Sequence, residues 1–331
     1  MKLKYAIQVL TFASLAVAAQ PTFAQQIVKV DGSSTVFPIT EAVAEEFQKA
    51  KKQAIKVTVG ISGTGGGFKK FCRGETDISG ASRPILKKEM DDCKAAAIEY
   101  FELPVAFDAL TVVINPKNGF IKQLTVAEMK KMWEPGAQGK VTRWNQVNAQ
   151  WPDAPMKLFG PGADSGTFDY FTEAVVGKSK SSRGDFTASE DDNVLVQGVA
   201  RDVNGLGYFG FAYYVENKDK LKAVPIVNQK GQAVLPSFEA VIAGTYSPLA
   251  RPIFIYVNAK SLGKPEVKEF VQYYMTHGAK LAKEVKYVPL PDSAYQTAWE
   301  HVAKGKKGTV FGGIAEVGIT IEELLRREAK L

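Results

Sequence analysis

Histidine and cysteine are nearly missing from this 331-residue sequence, which has two of each. That scarcity removes several chemistries. No Cys/His cluster at metal-ligand spacing occurs, and no His-Glu-x-x-His helix, so neither metal nor cofactor is expected. His277 and His301 lie late in the chain and read as exposed helix residues. There is no Gly-x-Ser-x-Gly elbow of the kind that exposes a hydrolase serine. Gly177-Lys178-Ser179 lacks the upstream glycine of a nucleotide-binding loop. Dense basic tracts interleaved with aromatics are absent too, so no nucleic-acid partner is expected.

Long apolar runs are confined to the N-terminus. Lys2 and Lys4 form a basic head, Tyr5 to Ala19 is apolar but for single polar residues, and Thr22-Phe23-Ala24 offers small residues to a signal peptidase. Residues 1–24 therefore read as a secretory signal peptide. The apolar core is too short to cross a bilayer, and no cysteine follows it to carry a lipid. A periplasmic mature chain beginning near Gln25 is expected. In an oxidising compartment Cys72 and Cys93 can pair as a disulfide, the alternative being two buried thiols. Taking Lys2 and Lys4 from the net charge of +7 leaves +5, which favours anions at long range.

What remains has 45% hydrophobic residues and length enough for two domains. Strand-like and helix-like segments alternate, the pattern of an α/β protein. Ile27–Val30 and Ile55–Ile61 alternate as strands, and Val36, Ile39, Val43 and Phe47 recur at helical spacing. Strands are expected at Tyr100–Val105 and Leu110–Asn115, on either side of Asp108. Thr125 and Glu128 have capping-box spacing. The turn-rich Asn115–Gly119 stretch reads as a hinge, and the β run Pro252–Val257 as a return strand. This gives one lobe from residues 25–114 and 252–331, and a second from 115–251. In the first, separate helices are expected at Pro265–His277 and Ala279–Glu284.

One design recurs. Asp31-Gly32-Ser33-Ser34-Thr35, Ser62-Gly63-Thr64-Gly65-Gly66-Gly67 and Gly160–Thr167 each place hydroxyls and glycine just before a helix. Helix starts carry unpaired N–H groups and partial positive charge, so they attract anions. Hydroxyls add donors that rotate to fit. A single instance is ordinarily just an N-cap; three together point to an oxyanion site. A fourth segment, Ile78–Pro84, adds Ser82 and the guanidinium of Arg83.

At these segments the sequence resembles the periplasmic phosphate-binding proteins of Pst-type ABC transporters. The likeness rests on GSSTVFPI (Gly32–Ile39), GISGTGGGFKKFCRGETDISGASRPI (Gly60–Ile85) and GPGADSGTFDYFTEAVVG (Gly160–Gly177). SEDDNVLVQGV (Ser189–Val199) and GLGYFGFAYY (Gly205–Tyr214) extend it over nearly the whole mature chain. The resemblance implies a type II periplasmic-binding-protein fold, two α/β lobes joined by two crossing strands around a ligand cleft. It implies a protein that captures inorganic phosphate and delivers it to a permease with a separate cytoplasmic ATPase; one bound anion per monomer is the default expectation. It carries ligand roles onto Thr35, Val36, Thr64, Ser165, Gly166 and Thr167; Ser34, Gly65 and Ser82 join them as candidates from the hydroxyl- and glycine-rich segments themselves. Two departures stand out. Arg83 occupies the place of an aspartate that accepts the phosphate's proton, and Pro161 the place of an arginine. A relocated guanidinium, from Arg83 or Arg183, is therefore expected. So is a substitute acceptor, Asp164 first and Asp108 second, each with a structural carboxylate as the alternative. Other classes remain open: a binder of sulfate, molybdate or arsenate, a secreted phosphatase or esterase, or an adhesive or sensory protein.

Overall fold

The computed structural model describes residues 26–331; the predicted signal peptide lies outside them. The chain opens with β1 (Gln26–Gly32), α1 (Phe37–Ala50), β2 (Ile55–Val59), α2 (Gly63–Cys72), β3 (Ile78–Ala81), α3 (Lys87–Ala95) and β4 (Tyr100–Ile114). Next come β5 (Leu124–Thr125), α4 (Val126–Trp133), α5 (Trp144–Val147), β6 (Lys157–Pro161), α6 (Gly166–Phe171), β7 (Thr187–Ser189), α7 (Asp192–Arg201) and β8 (Gly205–Gly210). Then follow α8 (Phe211–Glu216), β9 (Lys222–Ala223), β10 (Ile226–Val227), β11 (Ala233–Val234) and α9 (Phe238–Ile242). The chain ends with β12 (Ala250–Asn258), α10 (Pro265–Glu284), α11 (Asp292–Lys304) and α12 (Ile321–Glu328).

The nine-stranded sheet runs β2-β1-β3-β12-β4-β8-β6-β7, with β9 also on β4. β1, β2 and β3 pair in parallel, as their helical crossovers require. β4 and β12 connect two lobes. β4 pairs with β12 from Tyr100 to Ala109, then takes β8 from Leu110 to Ile114. All fifteen β4 residues are buried. The two expected strands are thus one continuous strand with Asp108 inside it. Asp108 is tolerated there because Arg251 stands opposite it on β12.

α10 is also continuous, where a break at Gly278 was expected. A Cβ at Gly278 would sit 3.0 Å from the Tyr295 ring on α11. Gly278 therefore lets two helices approach, at the usual cost of glycine within a helix. The capping box at Thr125 forms, with Glu128 N donating to Thr125 Oγ1 at 3.1 Å and Thr125 N to Glu128 Oε2 at 2.9 Å.

Cys72 and Cys93 form a disulfide that ties the end of α2 to α3. It closes a loop of 21 residues, for which the chain-entropy relation gives about 3 kcal/mol of stabilisation. Urea unfolding of a Cys72→Ser/Cys93→Ser double variant should show a loss of that order. A loss below about 1 kcal/mol would mean that the unfolded chain is little constrained by the bridge.

Candidate functional site

The loops leading into α1, α2 and α6 meet where β4 and β12 cross between the lobes. In the first loop, Ser33 O accepts from the Val36 and Phe37 amides, both at 3.1 Å. Thr35 N donates to Ser33 Oγ at 3.2 Å, and Tyr287 hydroxyl to Thr35 O at 2.5 Å. This tight turn holds the fully buried Thr35 side chain in one place. In the second loop, Thr64 Oγ1 accepts from Ser82 N at 3.1 Å and lies 3.2 Å from Ser82 Oγ. In the third, Ser165 Oγ caps α6 by accepting from Thr167 N at 3.1 Å.

These loops join the two lobes. Thr35 Oγ1 is 3.0 Å from Thr167 Oγ1, and Gly65 N donates to Asp164 O at 2.7 Å. Gly166 lies against the Thr64–Ser82 pair: a Cβ added to it would fall 2.4 Å from Thr64 Oγ1 and 2.6 Å from Ser82 Oγ. Buried hydroxyls from both lobes therefore share one small volume. Val36 is buried beside Thr35.

The charged member of this cluster was not anticipated. Arg251, at the start of β12, is fully buried. Its Nη2 donates to Thr167 Oγ1 at 2.7 Å, to Asp108 Oδ2 at 3.0 Å and, more weakly, to Thr35 Oγ1 at 3.4 Å. Nη1 reaches Gly166 O at 3.3 Å, and the guanidinium lies 5.4 Å from the Tyr170 ring centre. Nε has no hydrogen-bond partner. Arg251 is the guanidinium that touches both hydroxyls of the interlobe pair.

Asp192, the first residue of α7, was also missed. It is fully buried, with no hydrogen bond of ordinary geometry on either carboxyl oxygen and only the Ser34 hydroxyl set against it. Burial, reinforced by the charge of Asp108, pushes its carboxyl up to about 7; Arg251 and the Ser34 hydroxyl only partly offset this. Ser34 itself is fixed by Tyr213 hydroxyl, which donates to Ser34 O at 2.9 Å.

The charged residues expected from sequence sit elsewhere. Arg83 is buried and engaged: Nε donates to Asp169 at 2.7 Å, and Nη1 and Nη2 to Glu89 at 2.8 Å each. Nη1 also reaches Pro84 O at 3.1 Å. Two carboxylates, one from each lobe, thus hold this guanidinium as an interlobe tie. Asp164 points outward and meets the other lobe away from the hydroxyls: its carboxylate takes Lys69 of α2 at 2.8 and 3.0 Å, and its backbone carbonyl the Gly65 amide. Arg183 is buried away from the cluster, spent on Asp185 and on the carbonyls of Met132 and Val141. Asp108 does reach the cluster, though as the partner of Arg251 and of the Phe211 amide at 3.1 Å. His301 is buried against Glu328 rather than exposed, and His277 stacks on Tyr273; neither contacts the hydroxyls.

Residues 17–277 match the PBP superfamily domain. Protein SphX of Synechococcus elongatus is 56% identical over 91% of this chain and 89% of its own length. The phosphate-binding protein PstS of Staphylococcus haemolyticus is 39% identical over 84% of this chain and 86% of its own. Among solved structures, a phosphate ABC transporter substrate-binding protein from Clostridium perfringens, with bound phosphate, superposes with a TM-score of 0.66 at 25% identity. That match covers 80% of this chain and all of the other.

Proposed function

The chain belongs to the PBP superfamily, and from that premise we propose that it captures inorganic phosphate between its lobes outside the cytoplasmic membrane. It then delivers the anion to a membrane permease powered by separate ATPase subunits, acting as a monomeric carrier without catalysis. The observation that carries this reading is the meeting of Thr35, Thr64, Ser82 and Thr167 hydroxyls from two lobes around the buried Arg251. Such a set offers rotating donors and one fixed positive charge. Each charge-assisted hydrogen bond contributes about 2 kcal/mol. Four of them reach the roughly 8 kcal/mol that micromolar binding needs. The hydroxyls bond to one another and to Arg251, with no histidine among their partners, which suits binding rather than nucleophilic attack. Among the described residues no helix is long and apolar enough to cross a membrane. That suits a chain freed from its signal peptide.

Titration calorimetry with phosphate, sulfate and molybdate tests the reading at pH 8. Phosphate is expected to bind one to one, at least about a hundredfold more tightly than sulfate, a discrimination of about 2.8 kcal/mol. Tighter binding of sulfate or molybdate would overturn phosphate as the ligand. Turnover of a chromogenic phosphate ester would overturn the carrier role.

A further inference from the structure

The chain after α11 does not stay on its own lobe. Residues 305–320 run from α11 to α12 and touch both lobes on the way. The first part is fastened to the first lobe. Gly308 N donates to Tyr100 O at 2.9 Å, Val310 N to Glu102 Oε1 at 3.0 Å, and Lys87 N to Gly313 O at 2.9 Å. Phe311 is buried against Phe254 of β12. At Gly318 the tail meets the second lobe, where its N–H donates to the Tyr170 hydroxyl at 3.0 Å. Among the described residues this is the one hydrogen bond between the tail and that lobe. Beside it the tail does not close down: Ala315 and Val317 face Val126, Glu173, Ala174 and Pro248 across a cavity of about 510 Å³.

Tyr170 is a buried residue of α6, three positions after Thr167 and so on the same face of the helix. Its hydroxyl donates to Ala250 O at 2.7 Å, with Pro248 O at 3.0 Å. Ala250 pairs with Ala109 where β12 and β4 pass between the lobes, and it directly precedes Arg251. The Tyr170 ring lies 5.4 Å from the Arg251 guanidinium. Tyr170 therefore holds Arg251 twice, through the backbone at Ala250 and through the face of its ring. The Tyr170 hydroxyl is taken up by backbone groups, so its action on a bound anion runs through Arg251.

Resting on the phosphate reading above, we propose that Tyr170 is a positioning residue for the anion site, through which the C-terminal tail holds Arg251 against Thr167. The bonds form one chain, from Gly318 N–H to the Tyr170 hydroxyl and from that hydroxyl to Ala250 O. A donor on the hydroxyl oxygen polarises its O–H, so each bond strengthens the next. Loosening the tail therefore loosens the start of β12, and with it the guanidinium that donates to Thr167 at 2.7 Å.

The test is Tyr170→Phe, which keeps the ring and removes only the hydroxyl. Calorimetry well below the melting temperature should show phosphate binding weakened about tenfold, the effect of losing one such hydrogen bond. Stopped-flow kinetics should place that loss in faster dissociation, with association unchanged. A purely structural role would lower the melting temperature without depending on Arg251. In an Arg251→Met background, read at millimolar phosphate, the same substitution should change affinity by less than about twofold. The part of the tail is read on the native chain by hydrogen exchange. Gly318 is exposed, so its bond to Tyr170 is what shields its amide. Linkage is reciprocal, so bound phosphate should slow exchange of that amide several-fold. Native affinity in Tyr170→Phe overturns the proposal, and so does an equal loss in the Arg251→Met background. Exchange at Gly318 that ignores phosphate overturns the coupling even if the variant fails to fold. If the native chain binds no phosphate, the functional reading itself fails; native phosphate binding with an indifferent Tyr170→Phe sinks only the role of Tyr170.

Discussion

Replacing Arg251 with methionine is expected to weaken phosphate binding by about a thousandfold, the equivalent of about 4 kcal/mol. Two losses combine. The ligand loses the one buried guanidinium that contacts both Thr35 and Thr167. Asp108 loses its partner and is left as an uncompensated buried charge beside an anion. Breaking a buried pair from one side costs about 3–5 kcal/mol, so the variant should also melt earlier. That confounds affinity with stability, and two further variants separate them. Arg251→Lys keeps the charge but not the planar fork, and should recover only part of the affinity. Arg251→Met with Asp108→Asn removes both ions, so most of the stability should return while phosphate binding stays weak. Calorimetry with thermal unfolding on all three decides the matter. Native affinity in the double variant would show that Arg251 serves the fold and not the ligand.

Arg251 was illegible in the sequence for a geometric reason. It binds Asp108, 143 positions away, because β4 and β12 run antiparallel and place the two residues in register. No local spacing records that. The one clue was an arginine at the edge of the apolar run Pro252–Val257, and such a residue reads equally well as an element boundary. The hydroxyl-bearing loops behaved differently. Their signal is local: Ser, Thr and Gly just before a helix, with the turn and the cap both made within a few residues. The structure accordingly places Thr35, Thr64 and Thr167 at the lobe junction.

The positions of charge were harder still. Arg83 was judged by the loop it occupies, yet its direction is set by Glu89 on α3 and Asp169 on α6. A guanidinium flanked by two carboxylates has little left for a ligand. Asp164 was favoured because it precedes Ser165, but a side chain next to an N-cap can point outward, and Lys69 draws it there. Asp192 sits in an acidic stretch, Glu190-Asp191-Asp192, that looks like a solvated helix start. Asp191 does cap α7. Asp192 turns inward, because the first turn of a helix that packs on β8 and β6 must present one face to the sheet. Burial of one acid among three is a property of packing, and the run of charges conceals it.

Gly166→Ala should abolish closure of the cleft while leaving each lobe intact. The added methyl would fall 2.4 Å from Thr64 Oγ1, 2.6 Å from Ser82 Oγ and 2.9 Å from Thr64 Cβ. Those atoms cannot simply swing aside, because Thr64 Oγ1 is held by the Ser82 amide and both residues are buried. The lobes would have to separate by about 1 Å to restore ordinary contact. A shift of that size breaks the 3.0 Å Thr35–Thr167 contact and the 2.7 Å Gly65–Asp164 bond. Donors from one lobe would then lose reach of a ligand held by the other. With roughly half of the charge-assisted bonds lost, affinity should fall by about a thousandfold. Within its own lobe Gly166 begins α6, where alanine is the better helix former by about 1 kcal/mol. Stability without phosphate should therefore hold or rise slightly. Small-angle scattering with and without phosphate separates the effects: the native chain should compact on binding and the variant should not. Gly119→Ala, where an added Cβ meets nothing within 4 Å, is the control for a harmless methyl. If Gly166→Ala binds and compacts like the native chain, then the lobes do not need this contact to enclose the anion, and Thr64 and Ser82 are not part of the closed site.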